Sequence, residues 1–511
     1  MFLKMSQLKK LAGQTAVYGI SSILGKTINF LLLPIYTYYL DKEALGSFTA
    51  IYAIIAFLNI VFTYGMETTY FRFATGKGLE PQKVYDQIQS LLITSSLTIG
   101  AFIYWSADPI ASALGYEGQA HLFRWMAWIL AIDAVLAIPY AKLRKENKAL
   151  AFALTKLGNI LLNVGFNVFF IVFCFHVWQG DIFAGLKPFI DSFYKVEWGV
   201  DYILLANLLA NALMVPVLFK ISGKFSFGID RSFIQPMWHY AVPLLFMGLA
   251  GVTNEVFSRG LFEYVLPEGF YQGLNAREAG GVFGANFKLA IFMNLVIQAF
   301  KYAAEPFFFN QSTKKNSPQL FAKVMHAFVI FCSTLMIVIS VNLDILGALF
   351  LRGEGYSAGL HIVPVLLFGY LFLGIYFNLS IWFKLTDQTK YSFYITLLGA
   401  LVTVLVIFVF VPYYGYMGAA LSTLACYLVM SLVCYLYGQK YFYIPYQTGR
   451  DLFYLFLAFG LSYIGFYLEF DVTVIQFILK NGLVIIFLLV VLFLEREKLE
   501  QLGFYIKRKK Q

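Results

Sequence analysis

Apolar residues run along this chain in long, nearly unbroken stretches separated by short polar gaps. A helix needs about 20 predominantly apolar residues to cross the hydrocarbon core of a bilayer. Stretches of that order fall at roughly 12–40, 46–68, 88–106, 120–140, 150–176, 200–219, 236–258, 282–302, 321–343, 361–383, 391–411, 415–437, 451–468 and 474–494. They are too long and too continuous for the ~10-residue alternating strands of a membrane β-barrel. The pattern predicts an all-α integral membrane protein with about 14 transmembrane helices. No gap is long enough for a separate soluble domain. The longest, 177–199, carries Trp178, Phe183, Phe189, Phe193, Tyr194 and Trp198. It reads equally as an amphipathic segment lying in the membrane interface or as a surface loop.

The polar residues that interrupt these stretches recur at helical spacing. A charge in the hydrocarbon is costly, so such residues face a bundle interior or a water-filled cavity. Ser22, Lys26 and Asn29 share a face of the first span, as Asn59, Thr63 and Glu67 do in the second. Lys156, Asn159, Asn163 and Asn167 form a stripe three turns long in the fifth, and Asn207 and Asn211 mark the sixth. Asn254, Glu255, Ser258 and Arg259 cluster toward the end of the seventh, with Glu255 and Arg259 at ion-pairing spacing. In the eighth, Lys288 is followed by Asn294, Gln298, Lys301 and Glu305. Two readings stand for the amides: interhelical glue, or the wall of a polar cavity. Lys26 is read either as functional or as an internal ion-pair partner of Glu67 or Asp133. The last two spans carry almost no such residues, which suits two peripheral helices beside a central path.

Composition narrows the class. Hydrophobic residues make up 60% of the 511, charged residues only 13%, and the mean hydropathy is +0.72. A soluble protein carries about a quarter charged residues, so a soluble enzyme, a disulfide scaffold and a disordered chain are excluded. The net charge of +10 is explained by orientation. With the N-terminus inside, 26 of the 38 Lys and Arg fall in inner gaps and tails and 6 in outer gaps. Cytoplasmic loops carry such an excess, so both termini are expected inside. The basic tail Lys507–Lys510 then reads as a lipid-headgroup anchor rather than a nucleic-acid patch. The first span follows Lys4, Lys9 and Lys10 but is too long for a signal peptide, and reads as a retained helix. The four cysteines sit singly in apolar runs, the five histidines are scattered, and Gly25-Lys26-Thr27 lacks the spacing of a phosphate loop. Nothing resembles a catalytic constellation, a metal site or a cofactor motif. The reading is a transporter, not an enzyme.

Two halves are visible. Gly25-Lys26-Thr27-Ile28-Asn29-Phe30 opens one, and Gly251-Val252-Thr253-Asn254-Glu255-Val256-Phe257 lies in the span that opens the other. Six spans precede the second, which makes the repeats parallel. The run Leu31-Leu32-Leu33-Pro34-Ile35-Tyr36-Thr37-Tyr38-Tyr39-Leu40, then Gly46, Tyr64-Gly65-Met66-Glu67 and Phe71-Arg72-Phe73, resembles the start of bacterial O-antigen and polysaccharide-repeat flippases. So do Tyr240-Ala241-Val242-Pro243-Leu244, Gly284-Ala285-Asn286-Phe287-Lys288 and Ala304-Glu305-Pro306-Phe307-Phe308. The family belongs to the multidrug/oligosaccharidyl-lipid/polysaccharide exporter superfamily. The resemblance implies two six-helix bundles in a V around a central cavity, two C-terminal helices, and alternating access. It implies a bundle over 1–222, a second over 223–440, and extra helices with a basic tail over 441–511. The implied substrate is an undecaprenyl-pyrophosphate-linked oligosaccharide, moved between leaflets of the bacterial inner membrane. The implied partners are membrane lipids, a polysaccharide polymerase and glycosyltransferases, and the chain is expected to be a monomer without nucleic acid.

Physical chemistry agrees with that substrate. A lipid pyrophosphate needs cations to offset its desolvation, and a hydroxyl-rich glycan needs amide donors and acceptors. Lys26, Asn29, Lys156, Asn159, Asn163, Asn167, Arg259 and Lys288 are the candidate substrate-binding residues. Glu67, Asp133 and Glu255 are the candidate ion-coupling carboxylates. The competing readings are an ion-coupled multidrug exporter of the same superfamily, a lipid II flippase, and a membrane glycosyltransferase or polymerase. Organic cations would favour an acidic cavity, and this one leans basic. The enzyme would want acidic catalytic residues and a sizeable loop.

Overall fold

The computed structural model describes residues 24, 27–28, 30–75, 79–311, 316–386, 388, 390–469 and 472–508. Among them the regular structure is helical throughout, with no strand. The main helices are α1 (Leu33–Tyr39), α2 (Lys42–Thr63), α3 (Met66–Thr75), α4 (Pro81–Trp105), α5 (Ala120–Lys145), α6 (Ala149–Asn167), α7 (Asp201–Ser222) and α8 (Arg231–Gly260). They continue with α9 (Ala276–Gln311), α10 (Ser317–Val341), α11 (Val363–Leu379), α12 (Lys390–Tyr414), α13 (Tyr416–Tyr441), α14 (Thr448–Tyr467) and α15 (Thr473–Arg508). Twelve helical stretches of the described residues are long and apolar enough to cross a membrane. This is the expected all-α membrane fold. Of the first expected span, most lies outside the described residues, and α1 is its end. Helix α14 has 20 residues, but Arg450 and Asp451 in its first turn lower its apolar average.

Local chemistry sets the breaks. Asp41 caps α2, its Oδ1 accepting from the Ala44 N–H at 2.7 Å. The expected span 46–68 is split, because Tyr64 and Gly65 adopt φ of 31° and 75°. A side chain at Gly65 would also bring its Cβ within 2.6 Å of the Leu244 Cβ, so glycine is required there by conformation and by space. Pro139 inside α5 has no N–H to give the Val135 carbonyl. Gln89 Nε2 on α4 donates to that carbonyl instead, at 3.0 Å. The polar gap 177–199 is neither a single helix nor bare loop: it holds the short helices Ala184–Leu186, Lys187–Asp191 and Val196–Trp198.

The chain divides into two compact units. The first comprises Met1–Ala285, Gly353–Tyr356 and Thr396–Ser422. In it α5 packs on α4 and α7, α6 on α7, and α2 on α8. Phe62, Tyr70, Tyr85, Ile88, Phe123 and Ile129 fill its core. Helices α2 and α9 meet backbone to backbone: a Cβ at Gly46 would lie 1.9 Å from the Arg277 carbonyl oxygen, and one at Gly281 2.0 Å from that of Lys42. Small residues permit such close approach where no hydrophobic force drives helices together. The segment before α8 is held along α4. Gln82 Nε2 donates to the Lys224 carbonyl (2.8 Å), while Asp86 Oδ1, Ser90 Oγ and Gln87 Oε1 accept from the N–H groups of Ser226 (3.2 Å), Gly228 (3.0 Å) and Asp230 (2.7 Å).

The second unit comprises Asn286–Arg352, Ser357–Ile395 and Thr423–Gln511. Helix α10 is its hub, with α11, α14 and α15 packed against it. Trp382, fully buried, donates its indole N–H to the Cys434 carbonyl at 3.2 Å. Helix α15 is fixed at its beginning by Lys480, which is buried and ion-paired with Asp344. Gln476 also donates to Asp344, at 2.9 Å, and the side-chain amides of Asn342 and Asn481 exchange hydrogen bonds of 3.1 Å.

Candidate functional site

The fifth expected span, α6, has two opposite faces. Leu150, Leu154, Leu161 and Val168 are exposed along one of them, Leu150 at 69% and Leu161 at 62%. Helical spacing puts Lys156, Asn159, Asn163 and Asn167 on the other. An apolar face left open on a membrane helix is the lipid face, so the polar stripe points into the protein. The α-helix ends at Asn167 and continues as a π-helical segment, Val168–Cys174. Such segments re-aim the side chains that follow and recur at functional sites.

Around the stripe the structure assembles a polar network from five helices. Asn211 on α7 is its centre. Its Nδ2 donates to Asp133 Oδ1 on α5 at 2.7 Å and to Asn207 Oδ1 at 3.1 Å, and its Oδ1 accepts from Asn159 Nδ2 at 2.8 Å. Asn207 donates onward to the Tyr52 hydroxyl of α2 at 3.1 Å. Farther along, Asn167 is fully buried and donates to the Asn163 carbonyl and Oδ1 at 2.8 and 2.9 Å. It accepts from the Tyr36 hydroxyl of α1 at 3.1 Å. Lys156, half-buried, places its ammonium 4.0 Å from the centre of the Tyr140 ring, a favourable cation–π geometry. Asp133, Glu67 and Arg144 are the charges within its electrostatic reach.

The remaining predicted residues fall as follows. Lys26 and Asn29 lie outside the described residues. Glu67 is ion-paired with Arg144, a residue the charge pattern places in an inner gap. Glu255 is exposed on α8, and Arg259 Nη2 lies 3.4 Å from its backbone carbonyl. Lys288 is half-buried on α9 and belongs to the second unit. The first unit thus brings together Lys156, Asn159, Asn163, Asn167, Asp133 and Glu67. Sequence reasoning missed the hydroxyls of Tyr36 and Tyr52 and the ring of Tyr140. The only available signal was a polar tip within an apolar run. It also missed the pairing of His326 with Asp451 and Glu495 in the second unit, because those residues come from three distant spans. Among the described residues no group of three or more His, Cys, Asp and Glu is arranged to hold a metal ion. The network offers amide donors and acceptors, a carboxylate and a cation, a chemistry able to meet polar and anionic groups.

No family model matches the chain, and no curated protein sequence matches it. Solved structures do. A lipid II flippase, MurJ, in an inward closed conformation aligns over 94% of this chain and 99% of its own, with a TM-score of 0.70 and 15% identity. A multidrug resistance MATE family transporter of the MOP superfamily, inward-facing, aligns over 84% of this chain and 97% of its own, with a TM-score of 0.61 and 15% identity. An outward-facing conformation of a multidrug resistance MATE transporter aligns over 86% and 98%, with a TM-score of 0.54 and 14% identity. The chain therefore shares its fold with this class of membrane transporters.

Proposed function

We propose that this protein is a flippase that moves undecaprenyl-pyrophosphate-linked oligosaccharide repeat units from the inner to the outer leaflet of the bacterial cytoplasmic membrane by alternating access. The observation that carries the reading is the polar face of α6, with Lys156 and three asparagines set opposite a lipid face and joined to Asp133, Asn207 and Asn211. The cation suits a pyrophosphate, and the amides suit sugar hydroxyls. Lys26, Asn29, Arg259 and Lys288 complete the proposed set of substrate contacts. Glu67, Asp133 and Glu255 are the proposed coupling carboxylates. A fold shared with inward- and outward-facing transporter structures supports alternating access. Lipid II as the substrate is the second reading, favoured by the 94% of the chain that aligns with a lipid II flippase.

Reconstitution separates the two. Liposomes loaded in the inner leaflet with either the lipid-linked repeat unit or lipid II are mixed with an external enzyme that modifies exposed glycan. We expect the repeat unit to become accessible at least tenfold faster than in protein-free liposomes. Faster movement of lipid II alone establishes the second reading, and movement of neither rejects both.

A further inference from the structure

A cavity of about 420 Å3 lies in the first unit, beyond the end of the polar stripe. Small-molecule sites commonly have about 300–1,000 Å3. Ile171 and Phe175 line it, on the helical stretch that continues α6 past Asn167. Tyr39 lines it too, at the end of the α1 whose Tyr36 bonds Asn167. Its other walls come from gaps that the charge pattern places outside. Asp41 stands before α2, Gln119 before α5, Glu197 and Trp198 before α7, and Arg277 in the first turn of α9.

The charges of this cavity are unbalanced. Arg277 is committed elsewhere: its Nη2 donates to the Gly115 carbonyl at 2.9 Å, its Nε lies 3.3 Å from Glu263 Oε2, and its guanidinium covers the Tyr116 ring at 4.1 Å. Asp201 is paired with His121 at 2.7 Å. Asp41, Glu43 and Glu197 line the cavity, are exposed, and meet no cation among the described residues. Deeper in, Ser47 is 6% exposed, and its hydroxyl has no hydrogen-bond partner among the described residues. A buried hydroxyl left without a partner is costly, so a ligand that reaches Ser47 is rewarded for it.

The lining selects a ligand class. Among the described residues no three carboxylates, histidines or cysteines converge as a metal ion requires. The carboxylates therefore suit a cation larger than an ion. Exposed ion pairs are individually weak, so the walls must add to them. Tyr39, Phe175, Tyr194 and Trp198 supply aromatic surface, and aromatic walls with carboxylates are the chemistry that recognises ammonium groups. The Trp198 ring already meets one, the exposed Lys195 placing its Nζ 5.1 Å from the ring centre. The Ser47 hydroxyl and the exposed Gln119 amide add donors and acceptors for hydroxyl groups. Ammonium and hydroxyls on one small frame are the chemistry of an amino sugar.

We propose that this cavity is a second glycan site, which holds an ammonium-bearing sugar at the outward end of the α6 stripe. Its place in export rests on the flippase reading: the glycan leaves the amides of α6 for this acidic mouth, while the pyrophosphate stays with the lysines. Its capacity to bind the sugar does not depend on transport.

Calorimetric titration of the full-length protein in nanodiscs of zwitterionic lipid tests the site with soluble probes. The buffer is acidic enough to keep amines charged and carboxylates ionised, and empty nanodiscs are subtracted. The probes are a glucosamine trimer, maltotriose with hydroxyls alone, and spermidine with ammonium groups alone. We expect the glucosamine trimer to bind at least tenfold more tightly than either of the others. Glu43→Gln with Glu197→Gln, both at exposed positions, should weaken it at least tenfold. Glu117→Gln with Glu268→Gln removes the same charge from exposed positions outside the cavity and should leave it within twofold. Equal binding of maltotriose or of spermidine, an undiminished affinity in the first double variant, or an equal loss in the second overturns the proposal. Failure of both lipids to move in liposomes rejects the export reading and leaves this binding result standing, whereas absent binding rejects this site alone.

Discussion

At the scale of single residues, Asn211 is the one on which most of the α6–α7–α5 network converges. It donates to Asp133 and Asn207 and accepts from Asn159. Interhelical hydrogen bonds within a membrane average about 0.6 kcal/mol each. Two of the three bonds at Asn211, those with Asp133 and Asn159, cross between helices, so Asn211→Ala should cost about 1 kcal/mol on that average. A reversible unfolding titration in bicelles should show that loss, and Asn207→Ala should show less. Lys156 is expected to matter differently. Its ammonium sits against Tyr140 with Asp133 nearby, so its loss removes a cation and leaves that carboxylate without its countercharge. Lys156→Ala should lower the flipping rate at least tenfold and Lys156→Arg should keep most of it, with membrane abundance unchanged in both. Normal flipping by Lys156→Gln would remove this lysine from the anionic contact set.

At the scale of elements, the segment 223–230 is held to α4 by three side chains that accept and one that donates. Removing two of them, with Gln82→Ala and Asp86→Ala together, should speed tryptic cleavage after Lys224 several-fold in the folded protein. The start of α8 adds a pH effect. The Ser232 hydroxyl, followed by the backbone N–H groups of Phe233 and Ser232, holds the Asp230 carboxyl below the usual carboxylate range. A depressed carboxylate stabilises the fold above its unfolded value, near 3.9, and that contribution fades as pH falls through the lowered value. Amide exchange at Ser232 and Phe233, corrected for intrinsic rates, should therefore accelerate in strong acid. Asp230→Asn, which caps without ionising, should show no such step. These helices were largely legible in the sequence, since apolar length and helical periodicity act within one element. The stripe Lys156–Asn159–Asn163–Asn167 was legible for the same reason. The break at Tyr64–Gly65 was not, because an apolar run of 46–68 conceals two residues in the left-handed region. Nor were charge partners from different spans, which no spacing within one helix shows. Glu67 meets Arg144, 77 positions away.

At the scale of the whole molecule, the expected orientation in the membrane rests on charge rather than packing. Lysine and arginine near helix ends are retained on the cytoplasmic side during insertion, so their distribution records topology even where helix boundaries shift by a few residues. The bias here is 26 to 6. The observed helices keep the same alternation across the described spans: Lys142, Arg144 and Lys145 close α5, Lys220 closes α7, Arg231 opens α8, and Lys440 closes α13. Each of these ends falls on the side expected to be inside. By the same count, the turn 267–275 between α8 and α9 is expected to face outward. Reporter fusions should therefore place Gln511 in the cytoplasm and Gly273 outside it. An external signal at Gln511 would mean an odd number of spans. An external Gln511 together with an internal Gly273 would instead mean an inverted chain, which would invert the frame of the polar stripe of α6 and reverse the proposed direction of transport.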